Sequence, residues 1–278
     1  MLQVKSLTLW VVTLLLGIAG CAQYPRIETG KNAFDETIHC ESDVTVYRQG
    51  GQIRYRGELT TQGMWAVNQL SKVRPIDTLI ITSSGGEINT GMDFGDWVQG
   101  RGVSVIVEEF CLSSCANYVF PAGSHKTILP GAVVAWHGSA RQKDLPDQLA
   151  RVVDDQVKSL ALGGESKARE RNRRQRQVSD YLTKSIARQD AFFEKIGVME
   201  YITRVGHEQY GINGFYFLSS DDMGRFGIHN VTMPENYETA DYSELQRRIG
   251  APFTHLKLDE HGNPPSKSPV DAGVINSP

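Results

Sequence analysis

The chain has 278 residues, with 29 Lys and Arg against 32 Asp and Glu and a formal charge of −3. A balance so close to neutral supplies no general attraction to nucleic acid, and no nucleic-acid partner is expected. Hydrophobic residues make up 40% of the chain, enough for one sizeable core.

Residues 1–20 carry one basic side chain, Lys5, then an apolar run from Leu7 to Ile18 that closes on Ala19 and Gly20 before Cys21. That is the layout of a signal peptide, and about a dozen apolar residues fall short of the ~20 that span a bilayer. Ile18-Ala19-Gly20-Cys21 resembles the lipobox at which bacterial lipoprotein signals are cut and their cysteine diacylated. The resemblance implies lipidation of Cys21 and a membrane partner reached through the acyl chains, each buried CH₂ contributing ~0.8 kcal/mol. With Ala22 rather than Asp after the cysteine, it also implies forwarding to the outer membrane of the cell envelope, facing the periplasm.

Residues 21–42 mix Pro25, Gly30 and charges without periodicity and are expected to be a lipidated N-terminus and linker. A domain is expected over 43–250. It opens with a strand pair, Val44–Tyr47 and Ile53–Arg56, about Gly50-Gly51. A helix follows, opened by Thr60 or Thr61 and running through Val67 and Leu70 toward Ser71. Then come Thr78–Ile81, a Ser-Ser-Gly-Gly turn, a helix near Ile88–Val98, Val103–Val107, a short helix after Ser114, and Ala132–Trp136. Short apolar strands alternating with helices predict an α/β fold with mostly parallel pairing.

Over 139–190 the character changes to long polar stretches with helical spacing, which predicts a helical insertion. Lys167, Arg169, Arg171, Arg173, Arg174 and Arg176 crowd it with positive charge. They are expected to form a solvated helix face; contact with anionic lipid or cell-wall polymer is the alternative. Core-like sequence resumes at Phe192–Ile196 and Gly214–Leu218. Residues 251–278, with Pro264, Pro265, Pro269 and Pro278 among Gly, Ser and Asn, are expected to form a disordered tail.

With Cys21 lipidated, Cys40, Cys111 and Cys115 remain in a compartment that permits disulfides. They allow one bridge and one thiol left over. Cys111 and Cys115 lie four apart across one turn and are expected to pair, with Cys40 the odd thiol or an alternative partner.

Four local signals lie between residues 79 and 138. Ile81–Gly86 ends on a double glycine, which lets backbone N–H groups face a cleft with no Cβ in the way. Cys111–Ala116 turns from strand to helix, with Ser114 near the helix N-terminus and the next N–H open to an oxyanion; taken alone it reads as an N-cap serine. Ala122-Gly123 comes third, and His137 ends a strand fourth.

In this order the signals resemble the Clp protease proteolytic subunit and its crotonase-superfold relatives, nearest a periplasmic branch with a Cys-x-Ser-Ala-Cys-like turn. Gly123 lies nine residues after Ser114, and His137 seven after Pro130, as in the Clp pattern; Phe217-Leu218-Ser219-Ser220 and Gly227-Ile228 match more distantly. The resemblance implies a spiral of ββα units, Ser114 as nucleophile, His137 as general base, and the N–H groups of Gly85 and Cys115 as oxyanion hole. No cofactor and no metal is implied, and relatives are often homo-oligomers, trimers or stacked rings.

Two departures stand out. Ser84 replaces the proline before the glycines, and the family's orienting acid falls on Phe215. Asn213, Asp190 or Asp180 could substitute for it in space, or a Ser-His dyad could act alone. Asp221 and Asp222 read as first-turn charges of a helix capped by Ser219 or Ser220. Cys115, if unpaired, is a rival nucleophile. The leading reading is a membrane-anchored serine hydrolase or peptidase acting on envelope peptides or proteins. The alternative is a non-catalytic lipoprotein of the same fold that binds or scaffolds, and an acyl-CoA enzyme ranks last because CoA is absent outside the cytoplasm.

Overall fold

In the computed structural model, residues 26–29, 36–39, 44–72 and 74–259 are described. The expectations placed on residues 1–25, Cys21 among them, on Cys40 and on residues 260–278 lie outside the described residues.

A hairpin of β3 (Thr45–Gln49) and β4 (Gln52–Arg56) turns at Gly50, which takes a positive φ that a side chain would oppose. Alternation along the two strands sends Val46, Ile53 and Tyr55 inward. On the outer edge, β1 (Arg26–Thr29) pairs with β2 (Glu36–His39), and β2 pairs antiparallel with β3. Within the 21–42 expected as linker, residues 26–29 and 36–39 are these strands, which satisfy the backbone groups that an uncovered β3 edge would expose.

Helix α1 (Thr61–Ser71) is capped by Thr60, whose hydroxyl accepts from the Gly63 N–H at 3.0 Å. Its apolar stripe of Met64, Ala66, Val67 and Leu70 is buried in the core.

From β4 onward the pairing is parallel, and the expected α/β class is what the structure shows. Ile53 and Tyr55 register with Leu79 and Ile81 of β5 (Thr78–Ser83), and these with Val105 and Val107 of β6 (Ser104–Leu112). Helix α2 (Ile88–Arg101) makes the crossover. Strand β6 is longer than the Val103–Val107 expected, and its two halves have different partners. Val105 and Val107 pair with Lys126 and Ile128 of β7 (Lys126–Ile128), whereas Phe110 and Leu112 pair with Val133 and Ala135 of β8 (Val133–Ala135). The sheet therefore divides along β6. A second small sheet joins β9 (Phe215–Phe217) in parallel to β11 (Phe253–His255), and β10 (Val231–Thr232) continues the main sheet from β7. Phe253, Leu256 and Leu258 are buried, so the tail expected from 251 begins no earlier than residue 259.

The insertion is a hairpin of α3 (Leu145–Ser159) and α4 (Gly164–Ile196). Leu145, Leu149, Val153 and Val157, spaced four apart, pack on Val178 and Leu182. The expected boundary at 190 falls inside α4, whose last turns carry Phe192 and Phe193 onto the Tyr118 ring, at 5.6 and 6.0 Å. Its basic residues are largely matched: Arg171 pairs with Asp154, and both Arg173 and Arg174 with Glu170. Such pairs fit a solvated helix face, although Arg173 and Arg174 share one carboxylate.

Helix α2 reaches the core through glycines. A Cβ on Gly95 would lie 2.6 Å from the Tyr118 carbonyl oxygen and from the Phe192 ring, whereas one on Gly100 would meet nothing. Gly95→Ala should destabilise by about 1–3 kcal/mol through overpacking, and Gly100→Ala should stabilise by about 0.5–1 kcal/mol through helix propensity. Urea unfolding of the two variants checks the opposite signs.

Candidate active site

Parallel pairing of β4, β5, β6 and β8 brings the ends of these strands to one edge of the sheet, and the loops that leave that edge carry the candidate residues. Ser83 pairs with Cys111, and Cys111 with Val134.

After β5 the chain turns at Gly85, with φ of +94°. A Cβ there would sit 2.7 Å from the Leu112 carbonyl oxygen and 2.9 Å from the Ser114 nitrogen, so only glycine allows the two turns to touch. The Gly85 N–H, expected as an oxyanion donor, here donates to Ser83 Oγ at 3.1 Å within its own turn. The Gly85 carbonyl accepts from Leu59 N–H at 2.7 Å. In a trans peptide the Gly86 N–H points the opposite way, away from Leu59.

Glu87 then caps α2, its carboxylate accepting from the N–H groups of Asn89 and Thr90 and from the Tyr181 hydroxyl of α4. Burial opposes the charge, but those hydrogen bonds outweigh it and hold the carboxyl below its usual range. Ser185 of α4 accepts from Asn89, and Gln189 of α4 accepts from the Tyr118 hydroxyl at 2.6 Å. The inserted hairpin thus grips both neighbours of the serine turn. Sequence reading missed Glu87, Tyr181 and Gln189. The signal available was Ser185, Gln189 and Phe192 on one stripe of an otherwise charged helix.

The serine turn follows β6. Ser113 has a φ of +55°, left-handed for a residue with a side chain, and Ser114 returns to right-handed helical angles. The Ser113 N–H donates to the Ala135 carbonyl at 3.1 Å, and its own carbonyl accepts from Asn117 at 2.8 Å. Ser114 is 3% exposed, and its hydroxyl donates to the Gly86 carbonyl at 2.8 Å. Cys115 opens a π-helical turn, Cys115–Val119, where a first N–H has no acceptor within its own helix. Cys111 and Cys115 form the expected disulfide, their Cα atoms 5.2 Å apart, so Cys115 is no rival thiol nucleophile. Closing so short a loop is worth ~2 kcal/mol by the chain-entropy account.

His137 lies beyond β8, after Trp136, whose backbone pairs with Tyr216 in both directions at 2.8 and 2.9 Å. That pairing sets the imidazole against the Phe215 ring, centroids 4.6 Å apart and edge to face. The residue at the acid's expected place therefore does meet the histidine, but with a phenyl group that cannot accept a proton. The other acids considered do not replace it: Asp190 is tied to Arg141 at 2.7 Å, and Asp180 and Asn213 are exposed. Ser219, not Ser220, caps the helix Ser220–Arg225, in agreement with a structural role for Asp221 and Asp222.

The imidazole is partly covered, but its Nε2 has neither a partner nor contact with water. Ser114 and His137 are not hydrogen-bonded in this arrangement. Burial, with the nearby His207 as a second cause, pushes His137 down to about 4. His207, which sequence reading passed over, packs edge-on to Tyr216 and joins the wall of a cavity of about 280 Å³ with Asp144 and Glu208. Among the described residues no cluster of His, Cys, Asp and Glu could hold a metal ion.

No protein-family model matches the chain, and no curated protein matches it. Among solved structures it is similar to ClpP1 from Listeria monocytogenes and to a mutant of that protein. Both share 18% identity at a TM-score of 0.35, over 66% and 67% of this chain and 91% and 92% of those chains. A superposition that loose assigns no role to any residue.

Because the folded His137 binds its proton more weakly than an unfolded one, its contribution to stability is complete above pH ~6.5 and falls as pH drops toward 4. Wild type should therefore lose more stability between pH 7.5 and 5 than His137→Gln does, as measured by urea unfolding. The imidazole should stay neutral at pH 5.5 in NMR.

Proposed function

We propose that this chain is a lipid-anchored envelope serine hydrolase acting on peptides or proteins, working through a Ser-His dyad without an orienting acid. The observation that carries the reading is the convergence at one sheet edge of a glycine turn, a serine turn and a partly covered imidazole whose buried Nε2 has no partner. An unpaired buried nitrogen is costly, and a base that receives a proton from an incoming nucleophile is one explanation for it.

In this reading Ser114 Oγ turns from the Gly86 carbonyl and attacks the substrate carbonyl carbon, passing its proton to His137 Nε2. The oxyanion accepts from Gly86 and Cys115 N–H groups, and His137 returns the proton to the leaving amine. An imidazole held near 4 is neutral at physiological pH but a weak base, so catalysis is slow. The Phe215 contact favours a second reading, a binding module that keeps the fold without the chemistry.

A fluorophosphonate should label Ser114 and still label the Ser113→Ala variant. His137→Ala should slow labelling by ~10²- to 10⁴-fold, with a rate that in wild type is flat above pH ~6 and falls toward pH 4. Phe215→Asp places a carboxylate against the imidazole and should raise its pKa by ~1–3 units, making labelling faster. Absence of labelling on either serine, in wild type and in Phe215→Asp alike, favours the binding module. For the anchor, Cys21→Ala should abolish incorporation of a radiolabelled fatty acid, and unchanged incorporation removes the lipoprotein part of the proposal.

A further inference from the structure

The disulfide brackets the residues on which the site depends. Cys111 lies in the last turn-facing part of β6 and Cys115 is the first residue of the following helix, and both are fully buried. Between them Ser113 holds a left-handed backbone, shared among the described non-glycine residues only with Asn230. A serine is disfavoured there and stays only where its surroundings over-determine it. The turn is also held by the Ser113 N–H bond to Ala135, the Asn117 bond back to Ser113, the contact with Gly85, the Ser114 hydroxyl on the Gly86 carbonyl, the Trp136 indole on the Ala116 carbonyl and the Asn117 amide on the Gly138 carbonyl. Those bonds hold the neighbours of Cys115 to the glycine turn and to the segment after β8, whereas the bridge joins Cys115 itself, whose N–H is the proposed oxyanion donor, to β6.

We infer that the Cys111–Cys115 disulfide is a positioning device for the serine turn, so that the site works in its oxidised form and is switched off by a dithiol. This rests on the hydrolase reading given above. Chemically, a dithiol reductant passes two electrons and two protons to the bridge. The S–S bond breaks to leave two thiols, and the reductant closes to its own disulfide. Freed of the tether, Ser113 relaxes from its left-handed angles, and Ser114 Oγ and the Cys115 N–H lose their common register. A displacement of about 1 Å at reacting groups costs ~10²-fold in rate.

The test uses the whole chain, oxidised, reduced with dithiothreitol, and reoxidised, with thiols counted by alkylation and mass. Because the sulfurs are buried, a Cys111→Ala, Cys115→Ala double variant supplies the unbridged state independently. Fluorophosphonate labelling, run well below the melting temperature, should slow ~10²-fold on reduction and in the double variant, and reoxidation should restore only the wild type. Amide exchange gives a readout that does not require activity: Ser113 and Asn117 should lose protection on reduction while Val105 and Val107 of β6 keep theirs. Equal labelling and equal exchange in both redox states overturn the inference and leave the hydrolase reading standing. If the oxidised wild type is not labelled at all, the hydrolase reading fails, and with it the switch. In that case unchanged exchange would also remove the bridge's hold on the turn.

Discussion

Parallel register between β5, β6 and β8 is the constraint from which the rest of the molecule follows. Parallel strands deliver their carboxyl ends to the same edge, and the loops leaving that edge meet in space however far apart they lie in sequence. Here β6 is the centre, bonded to β5 on one side and, on the other, to β7 along its first half and β8 along its end. Val105 and Val107 share one face and are wholly buried, and a slip of one residue would turn that face outward. The same register that fills the core places Ser113 beside Ala135 and Gly85 against Ser114.

That edge is short of hydrogen-bond partners. Thr82 Oγ1, Asn117 Oδ1 and His137 Nε2 are all buried without one, and each belongs to an element that forms the site. Unmatched polar atoms cost stability, and the same deficit occurs elsewhere in the fold, at Arg48 and at Trp97 Nε1. The hairpin of α3 and α4 holds the surroundings stiff. Tyr181 reaches Glu87, and Gln189 reaches Tyr118, at positions flanking the two turns. The insertion is thereby part of the site's outer wall as well as an appendage with its own small core.

What could be read in advance followed from local patterns. Alternation marked β3 and β4, capping chemistry marked α1, and Gly85-Gly86, Ser114 and His137 were recognisable as residues that end strands. What could not be read depended on distant partners. Strands β1, β2 and β11 are short and polar enough to pass for linker or tail, and only pairing to β3 and β9 makes them strands. The end of α4 was hidden because Phe192 and Phe193 resemble a new core segment when their contact with Tyr118 is unknown. The partner of the Gly85 N–H is Ser83 of its own turn, and the identity of the group behind His137 turns on the Trp136–Tyr216 bridge.

The central claim is that the glycine turn, the serine turn and His137 act on one carbonyl group. The most direct measurement is a crystal structure of the oxidised chain after reaction with a fluorophosphonate. Phosphorus should be bonded to Ser114 Oγ, its non-bridging oxygen within about 2.7–3.1 Å of the Gly86 and Cys115 nitrogens, and His137 Nε2 turned toward the adduct. An adduct whose oxygen points away from both nitrogens, or a Ser114 hydroxyl still bonded to the Gly86 carbonyl with no adduct present, would contradict it.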